Sequence, residues 1–470
     1  MEKEIRVLYY NWAPLEGNGG GVAVYMRNLV RAINTPPTRR EISFKVVFLS
    51  SGYYYDETCQ PRIVKSECDL RAECYHIVNS PITAPLETMA TRIGRIGKDS
   101  ITVQLIAEFI TKCGPFDVIH FHSFEGISPR VLELKKRWPQ TKFVHTIHDY
   151  GIICPNVKLW TFDGRNCYHS QGKCEQCMTT QMKYTQQFHI DMRLANTDRK
   201  REELYAHYKQ KRQWLWRMEK LLAKVGWRWC LRDQDFQRYR AMCIDMVNRY
   251  SDAELCVSQR VAEIVATAGV VKRKIIVDYI GTAVADKSMG QNRNNPFTDT
   301  FTILYMGYMT EAKGGFMLLN CLENLKKRGK TVIVRMATKI PDEATHLRIE
   351  QLRQYYKGVE LYDGYTHDDF PVLFCDVNLG IVPPLWEDNL PQIAIEMIAN
   401  GIPVLTSHNG GAHELNSHSV FCFSEAHELE EKLVKIIDDR QLLIDYWNHA
   451  TALTTMKKHI DNLTKIYQSI

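Results

Sequence analysis

No stretch of this chain approaches the roughly 18 consecutive apolar residues that a bilayer-spanning helix needs, which excludes an ordinary membrane span. The first ten residues, Met1-Glu-Lys-Glu-Ile-Arg-Val-Leu-Tyr-Tyr10, run directly into a strand-like pattern without an apolar leader, so a cytoplasmic protein is expected. Neither sign of charge dominates, with 60 Lys and Arg against 54 Asp and Glu, so no chain-wide surface for a polyanion is expected. Proline is missing from 182–249 and Gly226 is the one glycine there, which makes that segment a long helical stretch. Cysteine is not scarce. The 14 cysteines, without a secretory leader, read as reduced thiols or metal ligands rather than a disulfide framework.

At 470 residues, 45% hydrophobic and 24% charged, the chain is long enough for two domains with separate cores. Short β-branched runs alternate with helical patterns in two sets. The first comprises 5–10, 44–49, 117–122, 142–147, 254–257 and 275–280; the second comprises 301–306, 331–336, 359–362, 377–382 and 403–406. Strands so spaced predict an α/β chain of two doubly wound parallel sheets. The polar stretch 281–299 reads as a linker. Ligands of open parallel sheets gather beyond the carboxyl ends of the strands, so each domain would offer loops to a shared cleft.

The richest segment is Asp388-Asn-Leu-Pro-Gln-Ile-Ala-Ile-Glu396, followed by Met397-Ile-Ala-Asn-Gly-Ile-Pro-Val-Leu405 and Gly410-Gly-Ala-His-Glu414. Pro391 suits the first turn of a helix carrying Ile393, Ala394, Met397 and Ile398 on one face, with Gly401 as its stop. The free backbone N–H groups near Leu390 to Ile393 would then form an anion site. Glu396, roughly 8–12 Å further along, would reach a ribose hydroxyl, so a nucleoside diphosphate fits. A second phosphate loop is Asn18-Gly-Gly-Gly-Val22, after a strand and opening a helix, although a plain turn reads the same way. Asp117-Val-Ile-His-Phe-His122 and Thr146-Ile-His148 deliver His122 and His148 to the cleft from consecutive strand ends.

These motifs, in this order, resemble the retaining glycosyltransferases of family 4, which have the GT-B fold of two Rossmann-like domains facing a cleft. The resemblance covers the carboxylate-x7-carboxylate segment, the Gly-Gly-Val at Gly20–Val22, and the strand ending in Gly307 with Lys313-Gly314. It implies transfer of a sugar from a UDP- or GDP-sugar to a glycan or lipid-linked acceptor, in bacterial surface polysaccharide or glycolipid synthesis. Asp388, or Glu387 beside it, would face the donor sugar, with His122 and His148 lining the site. Gly20, Gly21, Lys313, Leu390, Pro391, Gln392, Glu396 and Glu414 would hold the donor. Catalysis would need no metal, and no Asp-x-Asp stands at a strand end. Where the family carries an arginine, this chain has Tyr308, which removes a permanent charge. That departure leaves open a noncatalytic GT-B-like accessory subunit; an epimerase of nucleotide sugars is a nearer alternative.

The segment 152–248 exceeds a minimal family member. It opens with Cys154-x12-Cys167-x6-Cys174-x2-Cys177, spacing that suits a closed structural zinc site, with iron–sulfur ligation or free thiols as the alternatives. From Lys183 to Arg240 there are 15 Lys or Arg against 7 Asp or Glu, interleaved with Trp214, Trp216, Trp227 and Trp229. Basic residues among indoles suit contact with an anionic membrane surface through 183–240; a helical hairpin packed on the first domain reads equally well. No nucleic-acid module is recognisable. The expected organisation is a first domain over 1–285 containing the largely helical insertion, a nucleotide-sugar domain over 286–455, and a last helix in 456–470 crossing back to the first domain.

Overall fold

The computed structural model describes residues 3–16, 20–35, 42–82, 84, 97–168, 174, 177, 191–192, 195, 198–224, 233–288, 293–356 and 358–470. Two sheets form. The first contains β1 (Lys3–Tyr10), β2 (Ile42–Tyr54), β3 (Arg62–Ser66), β4 (Glu73–Val78), β5 (Val118–Phe121), β6 (Lys142–Ile147), β7 (Ala253–Cys256) and β8 (Ile275–Val277), in the order β3-β4-β2-β1-β5-β6-β7-β8. Every pair is parallel except β3 with β4.

The second sheet contains β9 (Phe301–Met306), β10 (Val332–Ala337), β11 (Gly358–Tyr362), β12 (Leu379–Val382), β13 (Val404–Ser407) and β14 (Cys422–Phe423), in the order β11-β10-β9-β12-β13-β14, all parallel. All six residues of β9 are buried, as a strand covered by helices on both faces requires. The chain therefore has the α/β class of two doubly wound sheets that its periodicity predicts.

Three strands escaped that reading. β3 and β4 form an antiparallel pair at the sheet edge, β3 without a fully buried residue, and β14 is two residues long, so none carries a long buried run. The stretch 281–299 is less of a linker than its polarity suggests: Ala283–Ser288 is helical, and the Asn294 amide donates to the Phe374 and Val377 carbonyls.

Each sheet reverses its winding once, between β1 and β5 and between β9 and β12. A crevice opens where neighbouring crossovers run to opposite faces. The loops at these two places carry the glycines after β1, His122 after β5, Lys313 after β9 and Asp388 after β12.

The last helix, Met456–Ser469, packs on the helix Gly20–Asn34. Its buried face includes His459, which lies 2.7 Å from the Tyr25 hydroxyl, and Tyr467, whose hydroxyl is 2.6 Å from His120 Nδ1. Tyr467→Phe strips His120 of that partner inside the fold and is expected to cost about 1–3 kcal/mol. Tyr467→Ala leaves a cavity as well and should cost about 3–5 kcal/mol. Urea unfolding of both variants checks the order; an alanine variant no less stable than the phenylalanine one would contradict this docking.

Candidate functional site

The loop after β12 is fixed by its neighbours. Gly410 has φ +75°, and a Cβ there would sit 1.8 Å from the Asp388 carbonyl oxygen. Gly314 has φ +72°, and its Cβ would lie 1.8 Å from the Pro383 carbonyl oxygen. Only glycine allows the loops after β9 and β13 to press so closely on the segment 383–389. Gly411 N–H then donates to the Asp388 carbonyl at 2.9 Å. Asp388 is 8% exposed, and its Oδ2 pairs with Lys313 Nζ at 2.6 Å. Two residues expected at the site from different motifs thus meet at the winding reversal of the second sheet.

Pro391 caps the helix Gln392–Ala399 with φ −67° and ψ 115°, one position earlier than expected, and Gly401 ends it with φ +80°. Six of its eight residues are buried, Ile395 included, so the buried surface is wider than the one face read from sequence. The Ala394 N–H bonds back to the Pro391 carbonyl at 3.1 Å, while those of Gln392 and Ile393 before it have no intrahelical acceptor and point toward the cleft end of the helix. Across the cleft the helix Gly20–Asn34 starts at Gly20, with φ +75°. The Gln392 amide donates to the Gly21 carbonyl at 2.8 Å, so the two helix starts meet. Both bring positive potential to one place, suiting a diphosphate. Asn18 and Gly19 lie outside the described residues.

Glu396, one turn into its helix, is buried except for its tip and accepts from His367 Nε2 at 3.0 Å. His367 belongs to the turn His367–Asp369, fixed by the Asp369 carboxylate, which accepts from the Thr366 N–H at 2.7 Å and the Thr366 hydroxyl at 2.9 Å. The hydrogen bond from Glu396 raises the His367 pKa above that of an ordinary imidazole, against burial, which lowers it. Tyr308, in the position of the family's arginine, is 66% exposed and carries no charge to the site.

Glu387 and Glu414 both accept hydrogen bonds from groups of the protein. Glu387 is 1% exposed; Arg260 donates to its two oxygens at 3.0 and 2.6 Å, the Tyr168 hydroxyl at 2.7 Å and Gly410 N–H at 2.8 Å. Burial alone would raise its pKa, but Arg260 and Tyr168 outweigh that and hold it below the carboxylate range. Glu414 accepts the N–H groups of Gln259 and Arg260 at 2.9 and 2.8 Å and receives the Tyr279 hydroxyl. It caps the helix Gln259–Thr267 of the first domain. A carboxylate at that end is favourable, and it ties the domains together.

His120, His122 and His148 lie together, as the strand alternation requires. His120 and His122 stack with centroids 4.2 Å apart, and His122 Nδ1 lies 3.0 Å from His148 Nε2. His122 is buried and His148 half-buried, so His148 is the one that reaches the cleft. Burial drives both pKa values down, His148 to about 3, with neighbouring histidines adding to the effect. Rings this hard to protonate are weak bases at neutral pH. They suit hydrogen bonding to a sugar better than proton abstraction.

Cys154, Cys167, Cys174 and Cys177 line one cavity of about 740 Å³ with Arg240 and Arg260. Burial holds the Cys154 thiol up at about 12, and Arg240 Nη2 lies 3.4 Å from Cys174 Sγ. Among the described residues no group of three or more His, Cys, Asp or Glu is set to hold a metal ion, so the zinc expectation finds no ligand set in this arrangement. The basic helix runs Asp198–Lys224 and leaves Trp214, Met218 and Leu221 exposed on one face; Trp227, Trp229 and the side chain of Trp216 lie outside the described residues. Among the described residues no helix is long and apolar enough to cross a membrane.

Sequence reading missed Arg260, Tyr168, His367 and Tyr279. Ser258-Gln259-Arg260 after β7 was a legible helix start, since the Ser258 side chain accepts from Val261 N–H. The partners of the others are distant in sequence and left no local signal. The His367 pair is directly testable. Its raised pKa means that the pair stabilises the fold below the unfolded histidine value of ~6.5 and loses that contribution as pH rises through the folded value. Glu396→Gln should lower the His367 titration midpoint followed by NMR; an unchanged midpoint would contradict the pairing.

Residues 287–452 match the family model described as Glycosyl transferases group 1. The putative glycosyltransferase YtcC of Bacillus subtilis (strain 168) is 24% identical over 187 residues, which span 37% of this chain and 46% of YtcC, just under half its length. Solved structures agree over 99% of the chain: sucrose-phosphate synthase of Thermosynechococcus elongatus, at 15% identity, 98% of its length and TM-score 0.59. HepE of Anabaena, solved with UDP-glucose, matches at 13% identity, 100% of its length and TM-score 0.58. At such identities these structures establish the fold. The chain has the GT-B fold, and its residues 287–452 are similar to the group 1 glycosyl transferases.

Proposed function

We propose that this protein is a family 4 retaining glycosyltransferase that moves a sugar from a nucleotide-sugar donor to a glycan or lipid-linked acceptor. The observation that carries this reading is the Lys313–Asp388 pair at 2.6 Å beside the meeting of two helix starts at Gly21 and Gln392. Lys313 and those N–H groups would take the diphosphate, Glu396 the ribose, and Asp388 the donor sugar. Similarity to HepE, solved with UDP and with UDP-glucose, supports a nucleotide-sugar donor.

Transfer breaks the bond from the sugar anomeric carbon to the diphosphate oxygen and forms one to an acceptor oxygen. Negative charge grows on the leaving phosphate, where Lys313 and the helix start of Gln392–Ala399 act as fixed positive groups. Retention follows when the acceptor attacks the face that the phosphate leaves and passes its proton to a phosphate oxygen. No protein base is needed on that route, in keeping with the low pKa of His148. The exposed Trp214, Met218 and Leu221, with Arg217 on the same helix, favour contact with a membrane surface bearing the acceptor. The acceptor side would then belong to the first domain.

Calorimetry and thermal shift against UDP, GDP and ADP test the donor site. One nucleotide at 100 times its Kd should add about 2.7 kcal/mol of stability. Lys313→Ala and Glu396→Ala should each weaken its binding at least tenfold, about 1.4 kcal/mol or more. Binding by none of them would favour a noncatalytic GT-B-like subunit, a reading that Tyr308 keeps open. Product formation without added acceptor would favour an epimerase.

A further inference from the structure

We propose that Arg260 and Tyr168, both from the first domain, are positioning residues for sugar transfer: they grip Glu387 and thereby set Asp388 against the donor. The inference rests on the donor-site reading above and deepens it. Alternate residues of the segment 385–389 are held from the first domain. The Asn166 amide donates to the Leu385 carbonyl at 2.9 Å, and also lies 3.1 Å from Asn409 Oδ1. Glu387 takes both arms of the Arg260 fork and the Tyr168 hydroxyl. The Ser258 hydroxyl donates to the Asn389 carbonyl at 2.8 Å. Asp388, between these anchors, turns its carboxylate to Lys313.

The anchors are themselves braced. Glu414 fixes the backbone of Gln259 and Arg260, and the Arg260 guanidinium lies over the Tyr168 ring at 5.5 Å. Tyr168 and Asn166 flank Cys167 in the loop that begins the 152–248 insertion, so the insertion contributes directly to the wall of the cleft. A bidentate guanidinium fixes direction as well as distance, which a lysine point charge does not. The groups proposed to hold the nucleotide are different ones: Lys313, the start of the helix Gln392–Ala399 and Glu396 in the second domain, with the helix start at Gly20–Gly21 in the first, and none of their contacts above runs through Arg260 or Tyr168. Loss of the grip should therefore slow the chemical step while nucleotide affinity is kept.

The experiment compares wild type, Arg260→Ala, Arg260→Lys, Tyr168→Phe and Lys313→Ala. Affinities for UDP, GDP and ADP are measured by calorimetry, and turnover is measured as nucleotide release from UDP-glucose, GDP-mannose and ADP-glucose. Arg260→Ala should lower kcat about 100-fold, as expected for a misplaced reacting group, with nucleotide affinity within about threefold of wild type. Arg260→Lys should recover part of that loss, and Tyr168→Phe should lose about fivefold, since one hydrogen bond goes and the guanidinium grip stays. An Arg260→Ala kcat within about twofold of wild type would overturn the proposal. So would a fall in kcat matched by an equal fall in affinity, which marks a general loss of structure. If Lys313→Ala loses nucleotide while Arg260→Ala turns over normally, the positioning role alone fails; if wild type binds none of the three nucleotides, the donor-site reading fails and this one with it.

Discussion

Two parallel sheets can build a shared ligand site only if the loops leaving their strands are fixed relative to one another, and here that constraint falls on the backbone of 383–389. Gly314 and Gly410 let neighbouring loops approach it within distances that no side chain tolerates. Glu387 is buried against it as a carboxylate satisfied by Arg260, Tyr168 and Gly410 N–H. A buried carboxylate that lost those partners would be strongly disfavoured, so this arrangement is held as a unit. The Asp388 carboxylate and the Ser258–Asn389 contact inherit their positions from it.

The charges of the cleft are paired within the protein. Lys313 neutralises Asp388, and His367 meets Glu396. An incoming diphosphate and ribose would exchange these partners rather than meet bare charges. The histidine cluster contributes a different quality. His120, His122 and His148 are driven to the neutral form by burial, so this wall of the site is polar without being charged.

What could be read from sequence was what repeats or what local chemistry dictates. The period of the strands gave both sheets, with β3, β4 and β14 escaping because an edge pair and a two-residue strand lack a long buried run. The helix starts at Pro391–Gln392 and Gly20–Gly21 were legible because helix starts have a chemistry of their own. Glu387 was not. Its residue type fits catalysis as well as a strut, and the difference lies in Arg260 and Tyr168, distant in sequence. Glu414 is similar, since a carboxylate after two glycines says nothing about the helix end it caps. The four cysteines come together around one cavity, as their spacing suggested, while their geometry lacks a metal-binding set among the described residues.

The central claim is that Lys313, Asp388, Glu396 and the two helix starts form one donor site. A crystal structure with the tightest-binding nucleoside diphosphate tests it most directly. The account predicts the distal phosphate on Lys313 and the Gln392 helix start, the Lys313–Asp388 pair opened, and the ribose on Glu396 with His367 displaced. A diphosphate bound elsewhere, with the 2.6 Å pair intact, would contradict it.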